Sequence, residues 1–173
     1  DCDVNPTFCD FNKVYIKYCD GNSFSGARDG PLEFKSSKDG EPSKLYFRGH
    51  HILMETLETL RLRFGMAEAT DFHLTGCSAG GLATFLHVDL VGEWVEQHLP
   101  SVTRYGATPV SGFFMEHESA LGPEHAVYAR QMKKVYHMSN ASRGVNRACV
   151  SQRRAATGDN GVANGGEDPA WRC

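Results

Sequence analysis

The amino-acid sequence predicts an α/β fold built on a mainly parallel sheet, and three observations carry the prediction. Short runs with period-two alternation are interleaved with amphipathic helical patterns. A clear helical stretch lies between two such runs, the arrangement expected of a right-handed crossover. Between one run and the next helical pattern stands Gly76-Cys77-Ser78-Ala79-Gly80-Gly81, a Gly-x-Ser-x-Gly turn between strand and helix. Three strands are visible, few for a parallel sheet, so the fold reads as incomplete.

Taken in order, residues 1–12 are polar, with Pro6, Cys2 and Cys9, and read as a loop. In Lys13–Tyr18 the residues Val14, Ile16 and Tyr18 alternate with Lys13, Tyr15 and Lys17, which predicts a strand. A turn follows at Cys19-Asp20-Gly21-Asn22-Ser23. From there to Ser43 the Gly, Ser, Asp and Lys content predicts an exposed loop, hairpin-like near Leu45-Tyr46-Phe47. His50–Phe64 is the clearest helix: Leu53, Leu57, Leu60 and Phe64 share one face, Arg61 and Arg63 suit the C-terminal end of its dipole, and Gly65 suits C′. Asp71–Thr75 is the strand entering the turn. The helix that leaves it begins at Leu82 and runs to about Gln97, with Leu82, Leu86, Leu90 and Trp94 as its buried stripe. Leu99-Pro100 stops it. Ser101–Ala107 is the next strand, leading into Pro109–Phe114. Pro123 suits the first position of another helix, with Tyr128, Met132, Val135 and Tyr136 on its apolar side. Residues 154–168 are too polar and glycine-rich to pack and read as a flexible loop. No internal repeat is present.

Length and composition narrow the function classes. At 173 residues the chain reads as one partial domain, 1–173, able to bury a core. A net charge of −3 and the lack of a Lys/Arg run argue against nucleic acid or an anionic membrane surface as partner. No apolar stretch approaches the roughly 20 residues that span a bilayer. The chain starts at Asp1 with no leader, as expected of a processed chain or of one that begins in mid-protein. Its six cysteines include no Cys-x-x-Cys pair and have no histidine at finger-like spacing, which argues against zinc. Disulfides in an oxidising compartment fit better; six cysteines allow fifteen pairings, among them a Cys149–Cys173 bridge closing the polar loop. Asn140-Ala141-Ser142 is an N-glycosylation acceptor in keeping with secretion, whereas the proline of Asn5-Pro6-Thr7 excludes that triplet.

The turn at residues 76–81 has a bland reading, a Gly/Ser-rich reverse turn, and a chemical one. In the chemical reading Ser78 takes a strained conformation at the tip, and Gly76 and Gly80 let strand and helix pack closely. The Ala79 N–H, at the helix N-terminus, then faces a developing oxyanion. The flanking periodicities favour the nucleophile.

The chain resembles the pectin acetylesterase family, which includes the Notum-type carboxylesterases. Collinear matches carry the resemblance over nearly the whole chain: Asn5-Pro6, Phe11–Val14, Tyr18–Gly26, Leu45–Gly49, Gly76–Ala83, Leu86–Asp89, Ser111–Phe114, and a fainter echo at Pro169–Cys173. The resemblance implies an α/β-hydrolase-like fold, helices on both sheet faces, and hydrolysis of carboxylic esters by a Ser-Asp-His triad without metal or cofactor. By position Ser78 is the implied nucleophile and Ala79 an oxyanion donor. Phe114 matches an aromatic lining the acyl pocket, although core packing serves it equally well. Cys77 and the Tyr-Cys-Asp-Gly run resemble the plant and microbial pectin esterases more than Notum. The implied substrate is an acylated polysaccharide, met by a secreted monomer at the cell wall. A Notum-like deacylase of a lipid-modified protein and a non-catalytic binding domain are the alternatives.

The departures are specific. The Gly-Gly-Gly-Trp segment that completes the family's oxyanion hole is absent, and Val110 stands where the family usually has Asp, a change nothing in the sequence explains. The family's catalytic Asp and His lie beyond the Trp-x-Cys motif, where this chain has ended. Asp89, Glu93, Glu96, Glu116, Glu118 and Glu124 each precede a later histidine, as the order Ser, acid, His requires. Asp89, however, is about 16 Å along its helix from Ser78 at ~1.5 Å per residue. His98, His117, His125 and His137 read as surface residues, and His50 and His51 as structural. His73 and His87 lie within strand and helix, where a ring does not reach over the tip. The expectation is an esterase lacking its base and acid.

Overall fold

The computed structural model describes residues 1–115, 119–122, 127–156 and 168–173. Among them β1 (Leu32–Lys35) and β2 (Pro42–Leu45) form an antiparallel hairpin, with Leu32 opposite Leu45 and Lys35 opposite Pro42. Helix α1 (Gly49–Arg63) follows, then β3 (Asp71–Cys77), α2 (Ala79–His98) and β4 (Arg104–Val110). β3 and β4 pair in parallel, from Asp71 opposite Arg104 to Cys77 opposite Val110. A parallel pair needs a crossover, and α2 supplies it. Helices α3 (Tyr128–Ser139) and α4 (Arg147–Ala156) flank a 3₁₀ turn at Ala141–Gly144, and a last 3₁₀ turn spans Pro169–Arg172.

The main core is where α1 and α2 meet the sheet. Leu53 and Leu57 of α1 pack with Val91, Trp94 and Val95 of α2 and with Leu99, and Phe72, Leu74 and Tyr105 close the cluster from the strands. The Tyr105 hydroxyl donates to the Val88 carbonyl at 2.7 Å, which fastens β4 to the helix above it. A second cluster joins Tyr136, Ala141, Val145 and Ala170.

Residues 13–18 form no strand. Alternation alone does not make a strand; its amides and carbonyls need a ladder partner. None pairs with this run among the described residues, and Tyr15 is 88% exposed while Ile16 still packs on the core. The crossover expected through α1 therefore does not form with this segment. The hairpin lies upstream of the expected place: β2 stops at Leu45, and its partner β1 falls in the stretch read as loop.

α1 matches its prediction within one residue at each end, and Gly65 takes the left-handed conformation (φ 75°) past the Phe64 cap. Leu53 and Leu57 are buried and Leu60 is half-buried, but Phe64 is 72% exposed because the helix ends before it. In α2 the buried line is Gly81, Thr84, His87, Val91, Trp94 and Val95, while Leu82, Leu86 and Leu90 flank it half-buried. Gly81 and Gly92 bring the helix close to β4, where a Cβ would meet the Val110 carbonyl and the Tyr105 ring. α3 begins at Tyr128 with Tyr136 buried; Pro123 lies outside the described residues. Of the 154–168 stretch, residues 154–156 belong to α4 and 157–167 lie outside the described residues. Its last residue, Asp168, accepts from the Tyr136 hydroxyl and the Arg154 guanidinium.

The turn at 19–24 is an anchor for α1. Asp20 is buried, and its carboxylate accepts from the amides of Gly49 (2.7 Å) and Asn22 (3.1 Å). A Cβ on Gly49 would lie 2.2 Å from that carboxylate and 2.4 Å from the Phe24 Cα, so only glycine opens the helix here. Two disulfides are present, Cys2–Cys9 and Cys149–Cys173, and Cys19 and Cys77 are free and exposed.

Candidate active site

β3 ends at Cys77 and α2 begins at Ala79, so the reversal rests on Ser78 alone. Its backbone sits at φ 56°, ψ −115°, a region that costs a non-glycine residue about 1–3 kcal/mol and persists only when its surroundings enforce it. The surroundings are on view. The Ser78 amide donates to the Val110 carbonyl at 2.9 Å, at the end of β4, and its carbonyl accepts from the Leu82 amide at 3.0 Å inside α2. The strand and the helix thus each hold one side of the same residue.

Glycine is required at 76 and 81, where the packing is tightest. A Cβ on Gly76 would stand 2.3 Å from the Gly80 carbonyl oxygen. One on Gly81 would stand 2.4 Å from the Val110 carbonyl oxygen and 2.7 Å from the Gly112 Cα. The expected close approach of Gly76 and Gly80 is present, but it requires glycine only at 76, since a Cβ on Gly80 would meet open space; Gly81 and Gly112 make a second close approach. Ser111, the residue after β4, is strained like Ser78 (φ 49°). Ser78 and Ser111 therefore lie at the same end of the sheet.

Ser78 is exposed, and its side chain makes no capping bond to α2. The hydroxyl is left available at the tip. Ala79 opens a 20-residue helix whose first amides have no intrahelical acceptor and carry the positive end of its dipole. Such an amide can hold an oxyanion formed at a carbon bonded to the Ser78 oxygen. Phe114 is 44% exposed just past β4. Phe113 (75% exposed) and Phe85 on α2 (47% exposed), with ring centroids 6.4 Å apart, form an exposed aromatic pair that sequence reasoning missed. The signal was Phe85, an aromatic lying off the leucine stripe.

Among the described residues no histidine or carboxylate bonds to the Ser78 hydroxyl. His73 bonds Thr108 Oγ1 through Nε2 at 2.9 Å and lies against the Phe8 ring. His98 stacks on Trp94, and His137 is exposed on α3. Asp89 accepts from Asn146, and Glu93 faces Arg147 at 4.0 Å; Glu96 is exposed. His117, His125, Glu116, Glu118 and Glu124 lie outside the described residues.

His87 is buried deeper than its place on the helix suggested, at 1% exposure. Its Nδ1 meets the Ala83 carbonyl at 2.8 Å, and its Nε2 has no hydrogen-bond partner among the described residues. Burial lowers its pKa, against the pull of the Ala83 carbonyl, of Asp20 and of the Phe24 main chain, which lies towards the ring without reaching hydrogen-bond geometry. The His50 ring stacks on it at 6.2 Å. Burial, then the neighbouring His87, His51, Arg143 and Arg147, push His50 down to about 4. An open groove of about 930 Å³ runs along α1 past His50, His51, Trp94 and Arg143, and Ser78 is not part of its wall. The metal-ligating types Cys2, Cys9 and Asp10 cluster, but both sulfurs are engaged in the disulfide.

The sequence matches the pectinacetylesterase family over residues 1–158. It is 34% identical to pectin acetylesterase 5 of Arabidopsis thaliana over 152 residues, covering 86% of this chain and 31% of that protein. It is 37% identical to pectin acetylesterase 4 of the same plant over 118 residues, or 68% of this chain and 26% of that protein. It is 32% identical to the palmitoleoyl-protein carboxylesterase NOTUM of Homo sapiens over 115 residues, or 66% of this chain and 21% of that protein. The crystal structure of the Wnt deacylase Notum from Drosophila superposes with a TM-score of 0.71 at 24% identity, covering 100% of this chain and 44% of that one. The chain thus spans about a third or less of the length of its curated relatives. Its architecture is the α/β-hydrolase-like one the sequence predicts, present in part. By the family match and by these identities, the chain belongs to the pectinacetylesterase family.

Proposed function

We propose that Ser78 is the nucleophile of a carboxylic ester hydrolase, and that the whole protein removes acetyl groups from an O-acetylated polysaccharide of the pectin type. The observation that carries this reading is the exposed Ser78 hydroxyl at a strained turn beside the Ala79 amide. A histidine takes the Ser78 proton as the oxygen attacks the ester carbonyl, and an acidic residue orients that histidine. The Ala79 amide and a second donor hold the oxyanion while the sugar hydroxyl leaves, and water then cleaves the acetyl-serine. No described histidine stands at Ser78, and on the family's pattern the base and acid belong to the part of the whole protein that this chain does not span, not to His117 or His125. Accordingly, this chain alone turns over p-nitrophenyl acetate scarcely above background. The protein works as a secreted monomer, in keeping with its two disulfides.

The exposed Phe85, Phe113 and Phe114 favour a second reading, removal of a longer acyl chain, the substrate type in the names of the palmitoleoyl-protein carboxylesterase relatives. A series of p-nitrophenyl esters on the full-length protein separates the two. Falling kcat/KM from acetyl to octanoyl supports the polysaccharide deacetylase; rising kcat/KM supports the long-chain deacylase. No hydrolysis of any ester by the full-length protein leaves a binding domain.

A further inference from the structure

We propose that Asn140 is an N-glycosylation site, and that its glycan stands over the seam between the end of α3 and residues 26–28. Asn140-Ala141-Ser142 is the one acceptor triplet in the sequence, and the fold presents it in the way the modification requires. Asn140 caps α3 in the left-handed conformation (φ 54°), at the surface, while Ala141 next to it is buried. Asn140 and Ser142 are both exposed. The Ser142 hydroxyl lies 3.4 Å from Asn140 Oδ1, at the outer limit of hydrogen-bond distance, so the hydroxyl and amide of the triplet face each other.

The amide has one hydrogen to give. Asn140 Nδ2 donates to the Ala27 carbonyl at 3.3 Å, which occupies one of its two hydrogens. That leaves the other hydrogen for a sugar to replace. The seam below is already fixed without Asn140: the Ala27 amide donates to the Ser139 carbonyl at 3.0 Å, and Arg28 Nη1 donates to the Met138 carbonyl at 3.1 Å. The two disulfides belong to the oxidising compartment in which such glycans are attached. The co-reactant is a lipid-diphosphate-linked oligosaccharide. The Nδ2–C1 bond forms as the C1–O bond to the diphosphate breaks; the lipid diphosphate leaves with the electron pair, and a base of the transferase takes the amide proton.

The test is secretion of the chain from a eukaryotic host behind the host's own leader, followed by intact mass and peptide mapping. The expected product carries an oligosaccharide that peptide N-glycosidase removes, leaving Asp at position 140. Ser142→Ala loses it, and Ser142→Thr, which keeps a hydroxyl, retains it. As a control, Pro6→Ala opens the Asn5 triplet to the same machinery. Finding Asn140 unmodified in the secreted, disulfide-bonded chain overturns the proposal, most plainly if the Pro6→Ala variant is glycosylated at Asn5. A sugar that persists in Ser142→Ala overturns it equally.

Discussion

At the scale of single residues, the turn around Ser78 is a case of strain held in place by missing side chains. Ser78 cannot relax because the Val110 carbonyl holds its amide and α2 holds its carbonyl. Those bonds exist only because Gly81 and Gly112 touch through their backbones. Gly81→Ala should therefore lower the stability of the chain by roughly 1–3 kcal/mol through overpacking, read as a lower urea midpoint at unchanged m-value. Gly80→Ala is the contrast. Its Cβ meets open space within a helix, so the substitution should be neutral or stabilising by up to about 1 kcal/mol. If the two variants behaved alike, the backbone contact would not be what positions Ser78. Val110 remains unexplained: it is 44% exposed at the end of β4, and nothing around it in the structure accounts for the departure from the family's Asp.

At the scale of elements, α1 and α2 meet through stacked imidazoles as well as aliphatic packing. His50 is neutral when folded, its pKa held at about 4, below the ordinary 6.5, by burial and by His87, His51, Arg143 and Arg147. The unfolded chain therefore binds more protons than the folded one at pH between 6.5 and about 4. Stability should be full above pH 6.5 and fall as pH drops through that window, and burial of neutral His87 adds in the same direction. His50→Gln should flatten the urea midpoint against pH between these limits; an unchanged slope would remove His50 from the account. The elements also show what a sequence can reveal. α1 was legible because its leucine spacing and Gly65 agree, and both act locally. The Ser78 turn was legible because its residues are contiguous. The buried line of α2 was not, since leucines at several angles leave the choice to β4, far away in sequence. The run at 13–18 misled for the same reason: whether a strand forms depends on a partner that alternation does not encode. The contacts of Gly112 and the Phe85–Phe113 pair are likewise tertiary facts.

At the scale of the whole chain, the two hydrophobic clusters of the described residues are held by different means. The α1–α2–sheet cluster rests on aliphatic packing. The smaller one, around Tyr136 and Ala170, is fastened by Cys149–Cys173 and by Asp168, which accepts from Tyr136 and Arg154. That bridge spans a sequence separation of 24, and loss of so long a closed loop should cost about 3 kcal/mol. Replacing both cysteines by Ser should lower the urea midpoint and deprotect the amides of α3 and α4 to hydrogen exchange before those of β3 and β4. Equal deprotection everywhere would mean one cooperative unit. The most direct test addresses Ser78, at the end of the sheet. Full-length protein treated with a fluorophosphonate and mapped by mass spectrometry should carry its adduct on Ser78, with labelling and ester hydrolysis both lost in Ser78→Ala. An adduct on another residue, or hydrolysis that survives Ser78→Ala, would contradict the account.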